Sequence, residues 1–345
     1  MAIKTPITKM LGVRHPILAA PMGPFYTTAL TIGVSEAGGL GVLSHTGLID
    51  RNPVEEMKEN MLSVVEHTDK PFGFNIRTSR MEPASDLLCR EIPEFIMEHE
   101  KIRDQCVYAL TSAGSAKSLP ASKSFQDLKN SGSPIKHFHV APALWLADKC
   151  VQAGVDGIVV TGNEGGGHQS YEKVSTLVLL QQIQEKYPEL PKIACGGFAT
   201  GYGLAVALAS GAGAIAMGSR FIASKESEFH QNYKEVIPPA RSQDTTMVTG
   251  FLGPIRLWKN KYTDHISLVR NKEEKMAKER MLTQDDIIET ARAYELAYEG
   301  NVKDGAVLLG QSIGLINQIE SVSDIIERIV DEASVALSNS YRYIH

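Results

Sequence analysis

The segment Lys192–Phe221, KIACGGFATGYGLAVALASGAGAIAMGSRF, has two short apolar runs with a longer apolar stretch between them. The short runs, Lys192–Cys195 and Ala214–Met217, lack a clean alternation of polar and apolar residues. This pattern is typical of strands that are buried on both faces of a parallel sheet. Gly201–Ala209 has the length of a short helix. The segment therefore predicts a strand, a helix and a second strand that lies parallel to the first.

The same succession of short apolar strands and longer helices is predicted for the rest of the chain up to residue 236. Six further strands are predicted at Pro16–Ala20, Leu40–Ser44, Phe72–Ile76, Cys106–Leu110, His137–Val140 and Gly157–Thr161. The other predicted helices are Thr27–Ala37, Pro53–His67, Ala84–His99, Ser122–Asn130, Ala143–Ala153, Val174–Lys186 and Glu226–Val236. Pro93 is expected to divide the third of these helices into two pieces, because proline removes a helical hydrogen bond.

Eight strands, each followed by a helix, are the number found in a closed barrel. We therefore predict an α/β fold, a (β/α)8 TIM barrel, with an open doubly wound sheet as the alternative. After the eighth helix no further strand is predicted, and Thr283–Gly300 and Ser321–Leu337 have the pattern of amphipathic helices. We expect a barrel over residues 1–238 and a C-terminal helical extension over residues 239–345 that packs on the barrel mouth. The helices of this extension could equally form a homodimer face.

Composition and charge exclude several classes of protein. The 345 residues carry a net charge of −5 without a cluster of Lys and Arg, which argues against nucleic acid as a partner. Cys89, Cys106, Cys150 and Cys195 are spread along the chain, as expected for reduced thiols, and the spacing of the histidines predicts no metal site. Neither a signal peptide nor a membrane span is predicted. We expect a cytoplasmic enzyme with a small-molecule substrate and no membrane partner.

In a (β/α)8 barrel, the functional residues lie at the carboxyl ends of the strands. Pro21 and Gly23 flank Met22 after the first predicted strand. Such a turn lets the backbone approach a flat ring closely, although an ordinary tight turn has the same composition. Asn75 ends the third strand, and its carboxamide can donate and accept hydrogen bonds to a ligand. An asparagine at this place is also a common turn residue or helix cap.

The sixth predicted strand runs into Gly162–Gln169, GNEGGGHQ, the most informative segment for function. Three consecutive glycines form a loop whose backbone can contact a ligand, and His168 follows them. Histidine titrates near neutral pH and can act as an acid or a base. A flexible surface loop with a solvated histidine is the alternative, and the loop by itself does not decide between the two.

The seventh and eighth strands end in Cys195-Gly196-Gly197-Phe198 and Met217-Gly218-Ser219-Arg220. Glycine turns after these two strands are where barrels build phosphate sites from backbone N–H groups. Ser219 can add a hydroxyl donor. Arg220 is interpreted as one half of a structural ion pair in preference to a phosphate ligand. Cys195 is interpreted as a packing residue in preference to a nucleophile, because no basic residue is adjacent to it.

These segments resemble the nitronate monooxygenases, formerly called 2-nitropropane dioxygenases. The resemblance lies in PILAAPMG, SEAGGLGVLS, PFGFN, GVDGIVVTGNEGGGH and IACGGFATGYGLAVALASGAGAIAMGSRF, with GQSIGLI in the C-terminal extension. It covers roughly residues 8–235 and 305–316, which is most of the chain. The same superfamily contains NADH:quinone reductases and flavin-dependent enoyl-acyl-carrier-protein reductases, so the motifs are less specific for one activity.

The resemblance implies FMN at the mouth of the barrel, with His168 at the position of the family's catalytic histidine. It also implies the residues that contact FMN, which are Pro21, Met22, Gly23, Asn75, Thr161, Gly166, Gly196, Gly197, Met217, Gly218, Ser219 and Gln311. Many family members have glutamine in place of Thr161 and alanine in place of Gly165. These departures concern the substrate more than the cofactor, and Thr111–Leu119 is a further segment without an assigned role.

Two activities fit the resemblance. The first is oxidation of small nitronates or nitroalkanes by FMN and O2, in which His168 removes the α-proton of a nitroalkane or, as a cation, binds the nitronate oxygens. The second is reduction of a quinone or an enoyl thioester, carried by acyl carrier protein or CoA, with NAD(P)H as co-substrate and FMN as the intermediate carrier. A flavin-binding protein without turnover is a third interpretation.

Overall fold

The computed structural model describes residues 3–47, 51–250, 253–264 and 266–344, with residues 284 and 287 described through their backbone only. The strands are β1 (Ile17–Ala19), β2 (Gly41–Leu43), β3 (Phe72–Arg77), β4 (Cys106–Ser112), β5 (Lys136–Ala141), β6 (Gly157–Thr161), β7 (Gly167–His168), β8 (Lys192–Cys195), β9 (Ala214–Met217), β10 (Thr245–Gly250) and β11 (Gly253–Trp258).

The helices begin before the first strand and continue to the end of the extension. They are α1 (Pro6–Leu11), α2 (Thr28–Glu36), α3 (Pro53–His67), α4 (Ser85–Glu98), α5 (Glu100–Gln105), α6 (Ser118–Ala121), α7 (Lys123–Asn130), α8 (Leu144–Gln152), α9 (Thr176–Lys186), α10 (Gly201–Ala209), α11 (Ser219–Ile222), α12 (Gln231–Glu235), α13 (Lys272–Met281), α14 (Gln284–Tyr298) and α15 (Val322–Ser340). Short 3₁₀ helices lie at Ser242–Asp244, Gln311–Leu315 and Tyr341–Tyr343. None of the described helices combines the length and the apolar character needed to cross a membrane.

Eight parallel strands form a nearly closed barrel, as the sequence predicts. Their order is β1, β9, β8, β6, β5, β4, β3, β2, and a parallel bridge between Leu18 and Leu40 joins the two ends. β6, β8 and β9 have their predicted bounds, and the other five strands differ by one or two residues at an end. β6 and β9 are buried along their whole length, which explains why these strands show no alternation of polar and apolar residues.

Pro93 does not divide helix α4, so the expectation from its position is wrong. The helix continues through Pro93 to Glu98, and the chain leaves helical geometry at His99, directly before α5 begins at Glu100. Ile92 and Ile96 of α4 are fully buried in the cluster that includes the apolar side chains of β3. Burial of this apolar face stabilises the helix across the proline, since tertiary packing commonly outweighs local propensity.

The predicted helix Glu226–Val236 is wrong over its first half, because only α12 is helical there. The carboxylates of Glu226 and Glu228 instead accept hydrogen bonds from backbone N–H groups at the starts of two other helices, at Val322 of α15 and Ala29 of α2. α15 packs against α10 and α2. It therefore takes the place of the eighth helix around the barrel, although it lies near the end of the chain.

Arg220 holds the segment that leads into α15. Its side chain is almost completely buried, and one guanidinium nitrogen donates to the carbonyl oxygens of Ala223 and Gln318 at 2.7 and 2.8 Å. The other terminal nitrogen lies 3.3 Å from the carboxylate of Glu320, which also pairs with Arg328. The interpretation of Arg220 as part of a structural ion pair is confirmed.

The expectation of no strand after residue 238 is also wrong. β10 and β11 form an antiparallel pair, and β11 pairs on its other side with β7, which lies in the glycine loop after β6. β7 is only two residues long, so this pairing depends on tertiary contact and leaves no periodic pattern in the sequence. The extension therefore places a strand, as well as helices, beside the glycine loop.

Candidate active site

A cavity of about 1280 Å³ lies at the carboxyl ends of the barrel strands. Residues at or directly after the ends of β1, β3, β4, β5, β6, β8 and β9 line it, and the extension contributes residues of α13 and of the segment 308–312. Because the parallel strands of a barrel all end on one side, the cavity collects side chains that are far apart in sequence.

The cavity brings together most of the residues that the sequence predicts for the site. Those that line it are Pro21, Met22, Gly23, Asn75, Thr161, Gly166, His168, Gly196, Gly197, Gly218 and Ser219. Met217 does not line it, because its side chain is buried in the barrel core. Gln311 does not line it either, although its neighbours Gly310 and Ser312 do. The backbone N–H of Gln311 donates to the carbonyl oxygen of Glu164 at 2.8 Å.

The glycine loop after β6 contacts the extension through two glycines. A Cβ atom on Gly166 would lie 2.7 Å from the backbone nitrogen of Gly310, and a Cβ atom on Gly310 would lie 2.7 Å from the backbone nitrogen of Gly166. A side chain at either position would force the two backbones apart. The N–H of Gly310 also donates to Oγ of Ser219 at 3.0 Å. The glycine loop, the turn after β9 and the extension are therefore joined at one point of the cavity wall.

The turns after β8 and β9 leave room for a ligand. Gly196 and Gly197 have φ angles of +87° and +90°, which residues other than glycine rarely adopt. A Cβ atom on Gly218 would meet no atom nearer than the Cβ of Ala20, at 4.0 Å, so a side chain there would occupy open cavity space. Together with the hydroxyl of Ser219, this open cradle fits the phosphate group of FMN, which barrels commonly bind at these two turns.

His168 lies in β7, opposite Ile255 of β11, and lines the cavity. Burial, together with the positive charges of Arg77 and Lys275, lowers the pKa of His168 to about 3. The ring is therefore neutral at pH 7. Its Nε2 atom has no hydrogen-bond partner in the part of the chain that the structure describes. This arrangement favours a base that accepts a proton from a ligand over a cation that binds an anion.

For two further cavity residues, the structure indicates the hydrogen bonds of an amide and the protonation of a thiol. Nδ2 of Asn75 donates to the carbonyl oxygen of Leu110 and to Oγ of Ser112, both at 3.1 Å, so the barrel holds the amide nitrogen. Its Oδ1 atom lies 3.5 Å from Oγ of Ser112, a long contact that leaves this oxygen able to accept from a ligand. Burial raises the pKa of the Cys195 thiol to about 11. The thiol is protonated at neutral pH, which supports the interpretation of Cys195 as a packing residue.

Sequence reasoning does not find Arg77, which also lines the cavity. Its Nε and Nη2 atoms lie 2.9 and 2.8 Å from the carboxylate of Glu82, and its backbone N–H donates to Nδ1 of His45 at 3.0 Å. Arg77 follows Asn75 by two residues and so lies on the same face of β3. This two-residue spacing in the strand could have identified Arg77 as a cavity residue. No comparable signal exists for Lys275, because the fold alone brings α13 to the cavity.

Family membership follows from a comparison over nearly the whole chain. Residues 4–332 match the family model described as nitronate monooxygenase. The chain belongs to the nitronate monooxygenase family. Proteins of this family are oxidoreductases, and the glycine loop and the turns after β8 and β9, which carry the resemblance in the sequence, lie together around the cavity.

The relatives of this protein are named for more than one activity. The (3aS,4S,5R,7aS)-5-hydroxy-7a-methyl-1-oxo-octahydro-1H-indene-4-carboxyl-CoA dehydrogenase of Rhodococcus jostii (strain RHA1) is 28% identical, over 96% of each chain. The nitronate monooxygenase of Paraburkholderia phytofirmans is also 28% identical, over 75% of this chain and 78% of the relative. The structure of FabK from Thermotoga maritima is similar with a TM-score of 0.80 and 31% identity, over 99% of both chains.

Proposed function

We propose that this protein is an FMN-dependent oxidoreductase of acyl thioesters, which adds or removes two hydrogens across the carbon–carbon bond next to the thioester carbonyl. The size of the cavity carries the proposal. Its volume of about 1280 Å³ exceeds the roughly 300–1000 Å³ of ordinary ligand pockets. Such a volume suits a flavin nucleotide together with a second large ligand, whereas a small nitronate would leave much of the space to water.

The cavity residues at or after the ends of β1, β3, β6, β8 and β9 are those that would hold FMN. Gly196, Gly197, Gly218 and Ser219 would bind its phosphate, while Pro21, Met22, Gly23, Asn75, Thr161 and Gly166 would line the rest of the nucleotide. FMN, when bound, would supply hydride transfer to or from the carbon β to the carbonyl. The Gly310 N–H holds the hydroxyl of Ser219 in place for the phosphate.

His168 would transfer the proton at the α-carbon. Its ring is neutral, so it can accept this proton when the acyl group is oxidised. The charges of Arg77 and Lys275, which lower the pKa of the ring, would also stabilise negative charge on the thioester oxygen as the α-proton leaves. In the direction of reduction the ring would first take up a proton from solvent and then pass it to the α-carbon.

Nitroalkane oxidation is the second candidate, because a neutral His168 could equally remove the α-proton of a nitroalkane. The Paraburkholderia phytofirmans relative, named a nitronate monooxygenase, supports this candidate. The relative named a carboxyl-CoA dehydrogenase, which is aligned over 96% of this chain, supports the thioester.

Anaerobic half-reactions of the FMN-loaded protein separate the two candidates. The flavin is reduced with NADPH, or with dithionite where NADPH is inert, and crotonyl-CoA is then added. We expect crotonyl-CoA to restore the flavin absorbance, and ethylnitronate to leave the oxidised flavin unchanged. Bleaching by ethylnitronate, with no restoration by crotonyl-CoA, would contradict thioester chemistry.

A further inference from the structure

The wall of the cavity formed after β3, β4 and β5 and by α13 is rich in cationic side chains. We define this outer wall by the cavity-lining residues of segments 77–86 after β3, 112–118 after β4 and 142–152 around α8, and of α13. Its basic residues are Arg77, Arg80, Lys117, Lys149, Lys272 and Lys275. Its carboxylates are Glu82, Asp86 and Glu279. The outer wall therefore has more positive than negative side chains, and it includes the segment Thr111–Leu119 that the sequence left without a role.

Half of these cations form no ion pair with another described residue. Arg77 pairs with Glu82, whereas Arg80 and Lys275 share Glu279. Lys117, Lys149 and Lys272 have no carboxylate within ion-pair distance among residues 3–47, 51–250, 253–264 and 266–344. Positive charges that line a cavity with low-dielectric walls attract anions more strongly than the same charges on an open surface. The outer wall therefore favours a ligand with several negative charges.

An aromatic ring accompanies these lysines. Trp145, in the first turn of α8, is 39% exposed and lines the cavity. Lys149 is one helical turn further along, and its Nζ lies 4.7 Å from the centre of the indole ring. Indole rings bind the faces of nucleotide bases by stacking, and lysine ammonium groups bind phosphates as point charges. A base and its phosphates therefore match the pair formed by Trp145 and Lys149.

We propose that the outer wall binds the phosphorylated adenosine diphosphate part of a nucleotide, with the base on Trp145 and the phosphates on Lys149, Lys117 and Lys272. This inference rests on the proposed function, for which CoA is the carrier of the acyl group. CoA and NADPH share this chemistry, since both join an adenosine with a phosphate monoester to a diphosphate. The pantetheine or nicotinamide end would then lie toward His168.

The experiment measures equilibrium binding to the FMN-loaded protein by calorimetry, at low and at high salt. The probes are CoA, 3′-dephospho-CoA, NADPH and NADH. We expect Lys149→Ala and Trp145→Ala each to weaken binding about tenfold, the loss of one charge-assisted or stacking contact. Lys9→Ala is the matched control, because Lys9 is an exposed lysine on α1 that does not line the cavity.

The two pairs of probes identify the source of the nucleotide. Weaker binding of 3′-dephospho-CoA than of CoA assigns the outer wall to the acyl carrier, and weaker binding of NADH than of NADPH assigns it to the reductant. If no probe binds, or if Lys149→Ala and Trp145→Ala bind as the Lys9→Ala control does, the inference is overturned. Binding of CoA with no thioester half-reaction would overturn the proposed function and leave this site standing.

Discussion

At the scale of single residues, His168 is the centre of the proposed chemistry. A histidine in water has a pKa near 6.5 and would be partly protonated at neutral pH. Burial and the nearby charges of Arg77 and Lys275 hold the ring in its neutral form. The residue can therefore accept a proton at neutral pH without first losing one.

Replacing His168 with asparagine should reduce turnover at least about 100-fold, the usual contribution of a general base, while FMN stays bound. The backbone pairing of β7 with β11 does not depend on the imidazole, so the site should keep its shape. Measuring kcat and the FMN dissociation constant tests this. His67→Asn on α3 serves as the control, because His67 is exposed and lies outside the cavity. Unchanged turnover in His168→Asn would remove the residue from the mechanism.

The pH profile gives a second test at the same residue. Because the pKa of His168 is lowered to about 3, the base is available throughout the range from pH 5.5 to 8. For oxidation of an acyl thioester, we expect kcat/KM to stay nearly level over that range, with the loss of activity at lower pH. An ascending limb with an apparent pKa near 6.5 would show that the catalytic base is an ordinary, solvated histidine.

The site residues that could be predicted are those whose residue type suits a ligand site and whose position directly follows a predicted strand. The glycines after β6, β8 and β9, and His168 among them, stand directly after apolar strand runs, so the barrel itself indicates where they lie. Trp145 and Lys275 also line the cavity, but each follows the ordinary pattern of its own helix. Whether they line the cavity depends on which face of the helix packs toward it. That orientation is set by contacts with distant segments, which the local sequence does not indicate.

At the scale of elements, α15 completes the ring of helices from a distant part of the chain. It packs against α10 and α2, and the buried guanidinium of Arg220 ties the segment before it to the turn after β9. Glu226 accepts from the backbone N–H of Val322 at the start of the same helix. These contacts make the barrel wall depend on the extension.

Arg220→Met should destabilise the protein by about 2–3 kcal/mol, because it removes a buried guanidinium that donates to the carbonyl oxygens of Ala223 and Gln318, while Glu320 keeps its pairing with Arg328. Arg328→Met is the matched control. Its side chain is 38% exposed and contacts the same Glu320, so its loss should cost about 1 kcal/mol or less. Urea unfolding measures both free energies. Equal losses in the two variants would show that Arg220 does not anchor α15.

Strand β5 carries two buried histidines joined through one hydroxyl group. Oγ1 of Thr111 lies 2.8 Å from Nε2 of His137 and 2.7 Å from Nδ1 of His139. Burial lowers the pKa of His137 to about 3, with the neighbouring His139 adding to the effect, and lowers that of His139 to about 4. Both rings are therefore neutral in the folded protein at neutral pH.

These histidines predict a loss of stability in mild acid. The unfolded chain protonates them near pH 6.5, whereas the folded protein does not until about pH 4 and below, so the free energy of unfolding should fall as the pH drops below 6.5. Each histidine adds at most about 1.4 kcal/mol per pH unit to the slope. Urea titrations at pH 7, 6 and 5 measure how the free energy of unfolding changes with pH. His139→Asn should give a shallower slope, and an unchanged slope would contradict the neutral state of His139.

Most elements could be predicted because the barrel repeats one unit. The eight strands have short apolar runs, and seven of the eight predicted helices follow their strands directly. Two of the three failures, the missed strands after residue 238 and the first half of the eighth helix, have one cause. β11 pairs with the two residues of β7, and Glu226 and Glu228 cap helices elsewhere in the fold. Such contacts between distant segments leave no periodic pattern in the segment itself.

At the scale of the whole molecule, the extension and the barrel form one site. The contact between Gly166 and Gly310 brings the extension against the glycine loop, and β11 holds His168 in its strand. The cavity between them is lined by the glycine turns after β8 and β9 and, on its outer wall, by lysines without an ion-pair partner among the described residues. The shape of the molecule therefore supports a flavin at one end and a large anionic ligand at the other.

The most direct test of this account is a titration of the purified protein with FMN, followed by flavin fluorescence, for the native chain and for Gly218→Val. We predict that each native chain binds one FMN at micromolar concentration. Gly218→Val should remain folded by circular dichroism and lose this binding, because the added side chain would fill the open space next to Ser219. If the native chain takes up no FMN, or if the folded valine variant binds it equally well, the flavin does not lie in this cavity.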